Sequence, residues 1–477
     1  MTIPQHGMSK DEILSRLETY RENDLDWRSG KVLGFTYYPG VETEEVSKAA
    51  YMAFLGENAL DPTTYPSALK LETEIVRIIA DLLRGDEDVV GNFTSGGTES
   101  ILLTVKSARD RARAERPDIK TPEMILPLSV HPAFRKAASY FDVKPVIVPF
   151  DRETFRADVG AMRDAVTDNT ILLVASAPGY GQGVIDPIAE IGELALEKEL
   201  LFHVDGCVGG IQLSFMRRMG GYDVPDFDFS VPGVTSISAD LHKYGYAPKN
   251  ASTILYRSKD IRKYQIFACT SSTTYVLINP TVMSTRSAGP MAGAWATLHH
   301  LGEAGYAEMI REVMDTTRRM VDGVNATGDL RVLGQPDMSM FSMVSDTLNV
   351  FQLSDDMSKR GWYLQPQLST ELSPPNLHIS VNPNSTPIVE PFLEDLRASV
   401  KCVKDEYPPM DIAEVRAGIE QATQDLTPEA FGQILAMGGI SGTTLPDEMA
   451  LINTVMDVLP DPVCEQLLAG FMNDLYT

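Results

Sequence analysis

Cysteine is scarce in this chain of 477 residues, which carries four, Cys207, Cys269, Cys402 and Cys464, none of them in a C-x-x-C pair. That spacing excludes a disulfide framework and a tetrahedral zinc site, and it suits a reducing compartment. Positive charge is short as well: 41 Lys+Arg stand against 66 Asp+Glu, a net charge of −25. The cations gather no further than pairs such as Arg217-Arg218 and Arg318-Arg319. Nucleic acid and anionic membrane surfaces are held by clustered cations, so neither is an expected partner. No apolar run approaches the ~18 residues of a membrane helix, and Met1-Thr2-Ile3-Pro4-Gln5-His6 lacks the basic-then-apolar plan of a signal peptide. The expectation is a soluble cytoplasmic protein with no membrane insertion.

What is present is ordinary globular material, 43% hydrophobic and 22% charged. Ser9, with Glu12 three residues on, predicts a capped amphipathic helix over residues 9–22. Trp27–Pro66 has no sustained period and reads as irregular. From Leu69 the pattern alternates. Leu69–Arg84 and Thr98–Glu115 have helical spacing, while Met124–Leu128, Pro145–Pro149, Ile171–Ala175, Leu201–Val204, Ser236–Ala239 and Ser252–Tyr256 are strand-length. Such alternation predicts an α/β fold whose mostly parallel sheet is covered on both faces and binds ligands at its carboxyl edge. Gly289–Asn325 reads as helix. Beyond it, strands near Phe341–Val344, Val350–Leu353 and His378–Val381, with helices near Asp355–Arg360 and Ile388–Glu406, predict a smaller α+β C-terminal domain. The expected division is an N-terminal helix and irregular segment over 1–66, a large domain over 67–310 and a small one over 311–477.

Three local signals bear on chemistry. Thr94-Ser95-Gly96-Gly97-Thr98-Glu99-Ser100 runs into a helix, whose N-terminal N–H groups and positive dipole end suit a phosphate, although ordinary capping would use the same residues. Asp205, in His203-Val204-Asp205-Gly206-Cys207, ends an apolar run, where it could pair with a protonated ring nitrogen or simply start a turn. Lys243, in Asp240-Leu241-His242-Lys243-Tyr244-Gly245-Tyr246, follows a strand; a Schiff-base lysine needs partial desolvation so that its neutral amine is available. Together they specify pyridoxal 5'-phosphate (PLP): a helix start for the phosphate, an aspartate for the ring nitrogen and a lysine for the aldehyde. His131, after Met124–Leu128, could stack on the ring. His299-His300, with no acidic or cysteine partner at ligand spacing, reads as structural, and Cys207 as a small apolar side chain.

At these residues, and along Pro232-Gly233-Val234-Thr235-Ser236-Ile237-Ser238-Ala239-Asp240 and Tyr244-Gly245-Tyr246-Ala247-Pro248-Lys249, the chain resembles the sphingosine-1-phosphate lyase family, a branch of the PLP-dependent group II decarboxylases. It looks like the soluble bacterial form. The resemblance implies the PLP-dependent transferase fold type I, with a mixed seven-stranded sheet and a small C-terminal domain, in a homodimer with shared active sites. It implies Lys243 as the lysine bonded to the cofactor, Asp205 at the pyridinium nitrogen and His131 on the ring face, with Gly97, Thr98 and His242 at the phosphate. Tyr37, Tyr180 and Lys249 match substrate-site positions. The implied reaction is retro-aldol cleavage of the Cα–Cβ bond of a β-hydroxyamine, to an aldehyde and an amine.

Three departures bear on substrate. Asp61 stands where relatives have a histidine associated with the substrate phosphate, Gln182 replaces a second histidine, and Ser271-Ser272-Thr273-Thr274 replaces a Trp-x-Gly-Gly stretch. The alternative on the same scaffold is an amino-acid decarboxylase releasing CO2, for which Arg286 or Lys249 would receive the α-carboxylate and Asp61 a second substrate amine. A non-catalytic pyridoxal protein is the third reading.

Overall fold

The computed structural model describes residues 2–273, 275–407, 417 and 446–476. Seven strands form the main sheet: β1 (Val90–Thr94), β2 (Glu123–Pro127), β3 (Lys144–Val148), β4 (Thr170–Ser176), β5 (Leu201–Asp205), β6 (Ser236–Ala239) and β7 (Ser252–Tyr256). Their order is β1-β7-β6-β5-β4-β2-β3, and β7 alone runs against its neighbours. The sheet is therefore mixed and mostly parallel, as expected. Its strands are apolar on both faces: Ile125, Leu173, Phe202 and Val204 enter one core, and Met124, Leu126, Leu172 and Val174 enter the other. Helices such as Pro66–Leu82 and Gly97–Glu115 cover them. β1 had no place in the sequence reading, because Val90-Gly91-Asn92-Phe93-Thr94 carries little apolar signal; Gly91 lies where a Cβ would come 2.3 Å from the Ile254 carbonyl oxygen.

A hairpin, β8 (Phe267–Cys269) with β9 (Leu277–Asn279), leads to the long helix Gly289–Asn325. That helix kinks at Gly302, where φ is 57°. Its buried residues up to Ile310 belong to the core of the large sheet, and from Val313 onward they belong to a second core. A four-stranded antiparallel sheet follows, in the order β10 (Arg331–Val332), β11 (Met340–Val344), β13 (Asn376–Ser380), β12 (Gln365–Gln367). The second core gathers Phe341, Trp362, Ile379 and Phe392 between this sheet and the helices Val350–Lys359 and Val389–Glu406. Part of the expected 311–477 unit, residues 408–416 and 418–445, lies outside the described residues, as does Thr274.

Two sequence expectations fail for identifiable reasons. Val350–Leu353, read as a strand for its β-branched and aromatic residues, opens the helix Val350–Lys359 instead. The Asn349 side chain caps that helix, accepting from the N–H groups of Phe351 at 2.8 Å and Gln352 at 3.2 Å. The supposedly irregular Trp27–Pro66 contains a helix, Val41–Ala53, which buries only Thr43 and Ser47. It packs through small groups: a Cβ on Gly289 would lie 3.0 Å from the Tyr51 ring, and one on Gly293 would lie 3.4 Å from the Ser47 carbonyl oxygen. A face of that kind leaves no apolar stripe to read. The first helix, Lys10–Tyr20, has the expected capping box between Ser9 and Glu12 but buries none of its residues.

Candidate active site

The carboxyl ends of β1, β2, β4, β5 and β6 open on one edge of the sheet, and a cavity of about 590 Å³ lies there. Tyr37, Gly97, Thr98, His131, Tyr180, Asp205, His242, Lys243 and Lys249 all line it. They come from the segment before the first large-domain helix, from the loops after the strands, and from the start of the helix Gly97–Glu115. The nine residues expected to bind the cofactor or act in catalysis thus meet at one place.

The phosphate end is shaped by glycine. Gly96 holds φ at +156°, and a Cβ on Gly97 would stand 2.7 Å from Cys207 Sγ and 2.9 Å from Asp240 Oδ2. The first N–H groups of the helix have no partner within it. The Glu99 carboxylate takes the Ser95 N–H at 2.6 Å and the Val282 N–H at 2.9 Å, which ties the turn to the segment after β9. Thr94, Ser100 and Ser252 hydroxyls link the turn to β7, at 2.7 and 3.1 Å.

Asp205 is buried at the end of β5 and accepts from the Cys207 N–H at 3.0 Å and from the Ser238 hydroxyl at 3.3 Å. Both donors are neutral, and among the described residues no Lys or Arg is at ion-pair distance from it. Lys243 pairs instead with Asp240, Nζ to Oδ2 at 2.9 Å. Asp240 is buried, and its Oδ1 has no hydrogen-bond partner. Burial would raise the Asp240 carboxyl, but the Lys243 ammonium outweighs it and holds the group below its ordinary range. Burial likewise lowers Lys243, yet the Asp240 carboxylate reverses this and leaves the amine more basic than usual. The lysine is desolvated, and Asp240 is its counter-ion.

His242 Nδ1 accepts the Ala251 N–H at 3.3 Å, which puts the ring proton on Nε2, 3.6 Å from Asp240 Oδ2. Burial depresses His242. His131 stands at the exposed rim, its Nδ1 accepting the Ala133 N–H at 3.2 Å. Lys249 reaches the carbonyls of Phe35 and His242, both at 3.5 Å, and lies 5.1 Å from the centre of the Tyr37 ring. Burial first, and Lys243 second, pull its pKa down. Burial pushes the phenols of Tyr37 and Tyr180 up.

The small domain also reaches the cavity, which the sequence reading missed. Tyr180 donates to Gln365 Oε1 at 2.7 Å and stacks on His378, ring centres 4.2 Å apart. His378 Nδ1 meets the Gly181 carbonyl at 3.0 Å and Nε2 meets the Ser380 hydroxyl at 2.9 Å. Nothing local in Gln365, His378 or Ser380 signals this, because the contacts span the chain. Asp240 was more accessible to reading, as an acid three residues before the candidate lysine.

Two residues raised for substrate stand elsewhere. The Asp61 carboxylate closes its own turn, accepting from the Thr63 N–H at 2.8 Å and the Thr63 hydroxyl at 2.6 Å, which lowers its pKa. It borders a separate cavity of about 850 Å³. Arg286 is locked to Glu72, Nη1 to Oε1 at 2.9 Å and Nη2 to Oε2 at 3.0 Å, with both side chains largely buried.

The residues present fit PLP. A glycine cradle at a helix start can take the phosphate, an aspartate at a strand end, in no ion pair among the described residues, can take a ring N–H, and a lysine shares their cavity. Fold and site thus define a pyridoxal phosphate enzyme. Residues 35–344 match the Pyridoxal-dependent decarboxylase conserved domain, and residues 411–474 match the Pyridoxal-dependent enzyme, C-terminal putative HTH domain. The sphingosine-1-phosphate lyase of Arabidopsis thaliana is 43% identical over 411 residues, covering 84% of this chain and 74% of that protein. A probable L-aspartate decarboxylase of Pyrococcus abyssi is 32% identical, covering 84% of this chain and 99% of that protein. The structure of a Burkholderia pseudomallei sphingosine-1-phosphate lyase superposes with a TM-score of 0.81 at 37% identity, covering 89% of this chain and 96% of that one. The chain belongs to the sphingosine-1-phosphate lyase family of PLP-dependent enzymes. Its fold is type I, and its cofactor is PLP.

Proposed function

We propose that the chain cleaves the Cα–Cβ bond of phosphorylated, long-chain β-hydroxyamines of the sphingoid class, releasing an aldehyde and a phosphorylated amine. The observation that carries this reading is the convergence of the nine residues on one cavity in a chain 43% identical to a sphingosine-1-phosphate lyase. PLP, when bound, supplies an electron sink for the charge left on Cα. The N–H groups of Gly97 and Thr98, with His242, would hold its phosphate, and Asp205 would keep a proton on the ring nitrogen. His131 would cover one face of the ring, and Lys243 would be the residue that holds the aldehyde carbon. Among the remaining groups, Lys249 has the depressed pKa that suits a base for the β-hydroxyl proton. Tyr37 and Tyr180, whose phenols burial keeps protonated, are placed to donate.

The assay is aldehyde formation without CO2 from a phosphorylated sphingoid base, set against CO2 release from amino acids. CO2 release without aldehyde overturns the reading. The Pyrococcus relative favours the decarboxylase alternative, but Arg286, its expected carboxylate partner, is held by Glu72. Lys249 is then the cation left for an α-carboxylate.

We also infer a homodimer. The helix Lys10–Tyr20 exposes Ile13, Leu14, Leu17 and Tyr20, and the hairpin segment exposes Phe267, Tyr275, Val276 and Ile278, apolar faces that need a cover. Light scattering should give twice the chain mass, and removing residues 2–22 should weaken association. Among the described residues, no helix is long and apolar enough to cross a membrane. With four reduced cysteines, the cytoplasm is the proposed location.

A further inference from the structure

Two buried aspartates face the cavity, and the single lysine between them has chosen one. Asp205 is satisfied by a backbone N–H and a hydroxyl, whereas Asp240 has Lys243 at 2.9 Å, His242 Nε2 at 3.6 Å and an Oδ1 with no hydrogen-bond partner among the described residues. The other titratable groups lining the cavity with Lys243 are His242 and Lys249 on its own loop, Cys207 after β5, Tyr37 from the N-terminal segment, Tyr180 after β4, His131 after β2, and Glu99, whose carboxylate accepts from the N–H groups of Ser95 and Val282. His242 cannot replace the lysine as counter-ion, because its Nδ1 is already an acceptor and its ring is neutral. Lys249 points to two carbonyls. Asp240 without Lys243 would be a buried, uncompensated charge against the glycine cradle.

We propose that Asp240 is a positioning residue that receives the Lys243 ammonium whenever that nitrogen is not bonded to the cofactor, and so keeps it off Asp205. The inference rests on Lys243 being the cofactor's lysine. In amine exchange the substrate ammonium would give up two protons as its nitrogen bonds to the aldehyde carbon, the bond from that carbon to Lys243 would break, and Lys243 would take up both protons and leave as an ammonium. Asp240 stabilises the departing form, so it draws the exchange toward bound substrate. Asp205, spared the lysine, keeps its charge for the ring nitrogen.

The test is reductive methylation of the cofactor-free full chain with formaldehyde and a borohydride, read as a function of pH at Lys243 and Lys249 by peptide mass. Among the described residues Lys249 has no carboxylate at ion-pair distance, so wild-type Lys243 should label at the higher pH. Asp240→Asn should lower the Lys243 midpoint by at least about one pH unit, tenfold in proton affinity, and Asp240→Glu should restore part of it. An unchanged midpoint in folded Asp240→Asn overturns the proposal. If that variant fails to fold, the wild-type order alone decides, and Lys243 labelling at or below the pH of Lys249 overturns it. In the loaded protein, Asp240→Asn should bind ethanolamine phosphate, followed by absorbance, about tenfold more weakly by the same linkage; unchanged affinity overturns the receiving role. Failure of the parent assignment has its own signature: a Lys243→Ala protein that keeps the visible band of lysine-bound cofactor.

Discussion

The ring of Tyr180 lies on the imidazole of His378 with centres 4.2 Å apart and planes 29° from parallel, so a large-domain loop is seated on a strand of the small domain. Both His378 nitrogens are engaged and the residue is fully buried. His378→Ala should cost about 2–4 kcal/mol in chemical denaturation, by lost packing and an unpaired Ser380 hydroxyl. The milder Ser380→Ala should leave cofactor binding intact and lower kcat more than it changes KM. Equal losses in cofactor affinity would show that the pair supports the cavity rather than the tyrosine.

The Glu72 and Arg286 pair gives a second expectation. Removing one partner of a buried ion pair strands the other, at a cost of about 3–5 kcal/mol. Glu72→Ala and Arg286→Ala should each lower the denaturation midpoint strongly, and the double variant should lose less than the sum. A stable Arg286→Ala protein with only a raised KM for an amino acid would instead assign Arg286 to a substrate carboxylate.

Gly97→Ala places a Cβ against Cys207 Sγ and the Asp240 carboxylate. The expected result is a folded protein whose PLP affinity, measured by fluorescence titration, falls at least tenfold, about 1.4 kcal/mol. Adding Cys207→Ala removes only the sulfur contact, so recovery should be partial. Full recovery would mean that Asp240 does not press on the cradle.

Stability should fall in mild acid. Burial lowers His203 and His378 to about 4, from an ordinary value near 6.5. Between those values the unfolded chain binds protons that the native one refuses, so their contribution, complete above about 6.5, is lost as pH falls toward 4. Asp186, which burial raises to about 6, opposes this between roughly 4 and 6, where the native state holds the extra proton. Urea midpoints measured from pH 7 to 4 should decline, and less steeply in His203→Gln, provided that variant folds.

Much of the large domain was legible because its strands are short, apolar on both faces and separated by helices of regular period, and Ser236–Ala239 and Ser252–Tyr256 were read to the residue. The cavity residues were legible as loops following such strands. The rest is carried by contacts that leave no local period: the helix Val41–Ala53 packs through Ser47 and glycines, Val350–Lys359 begins at an asparagine cap, and Gln365 and His378 meet Tyr180 across the chain. The ion pair of Lys243 was left unread for a related reason. Asp240 stands three residues before it in the sequence, but nothing local showed that its carboxylate comes within 2.9 Å.

The seating of Tyr180 on His378 and Gln365 makes the coloured cofactor a witness to assembly order. During synthesis Lys243 leaves the ribosome well before the strand that carries His378, and the cradle at Gly97 is earlier still. A chain halted between these points would own every group proposed to hold PLP and still lack the floor beneath Tyr180. Visible absorption followed along a series of truncated chains would therefore separate capture of the cofactor from completion of the pocket around it.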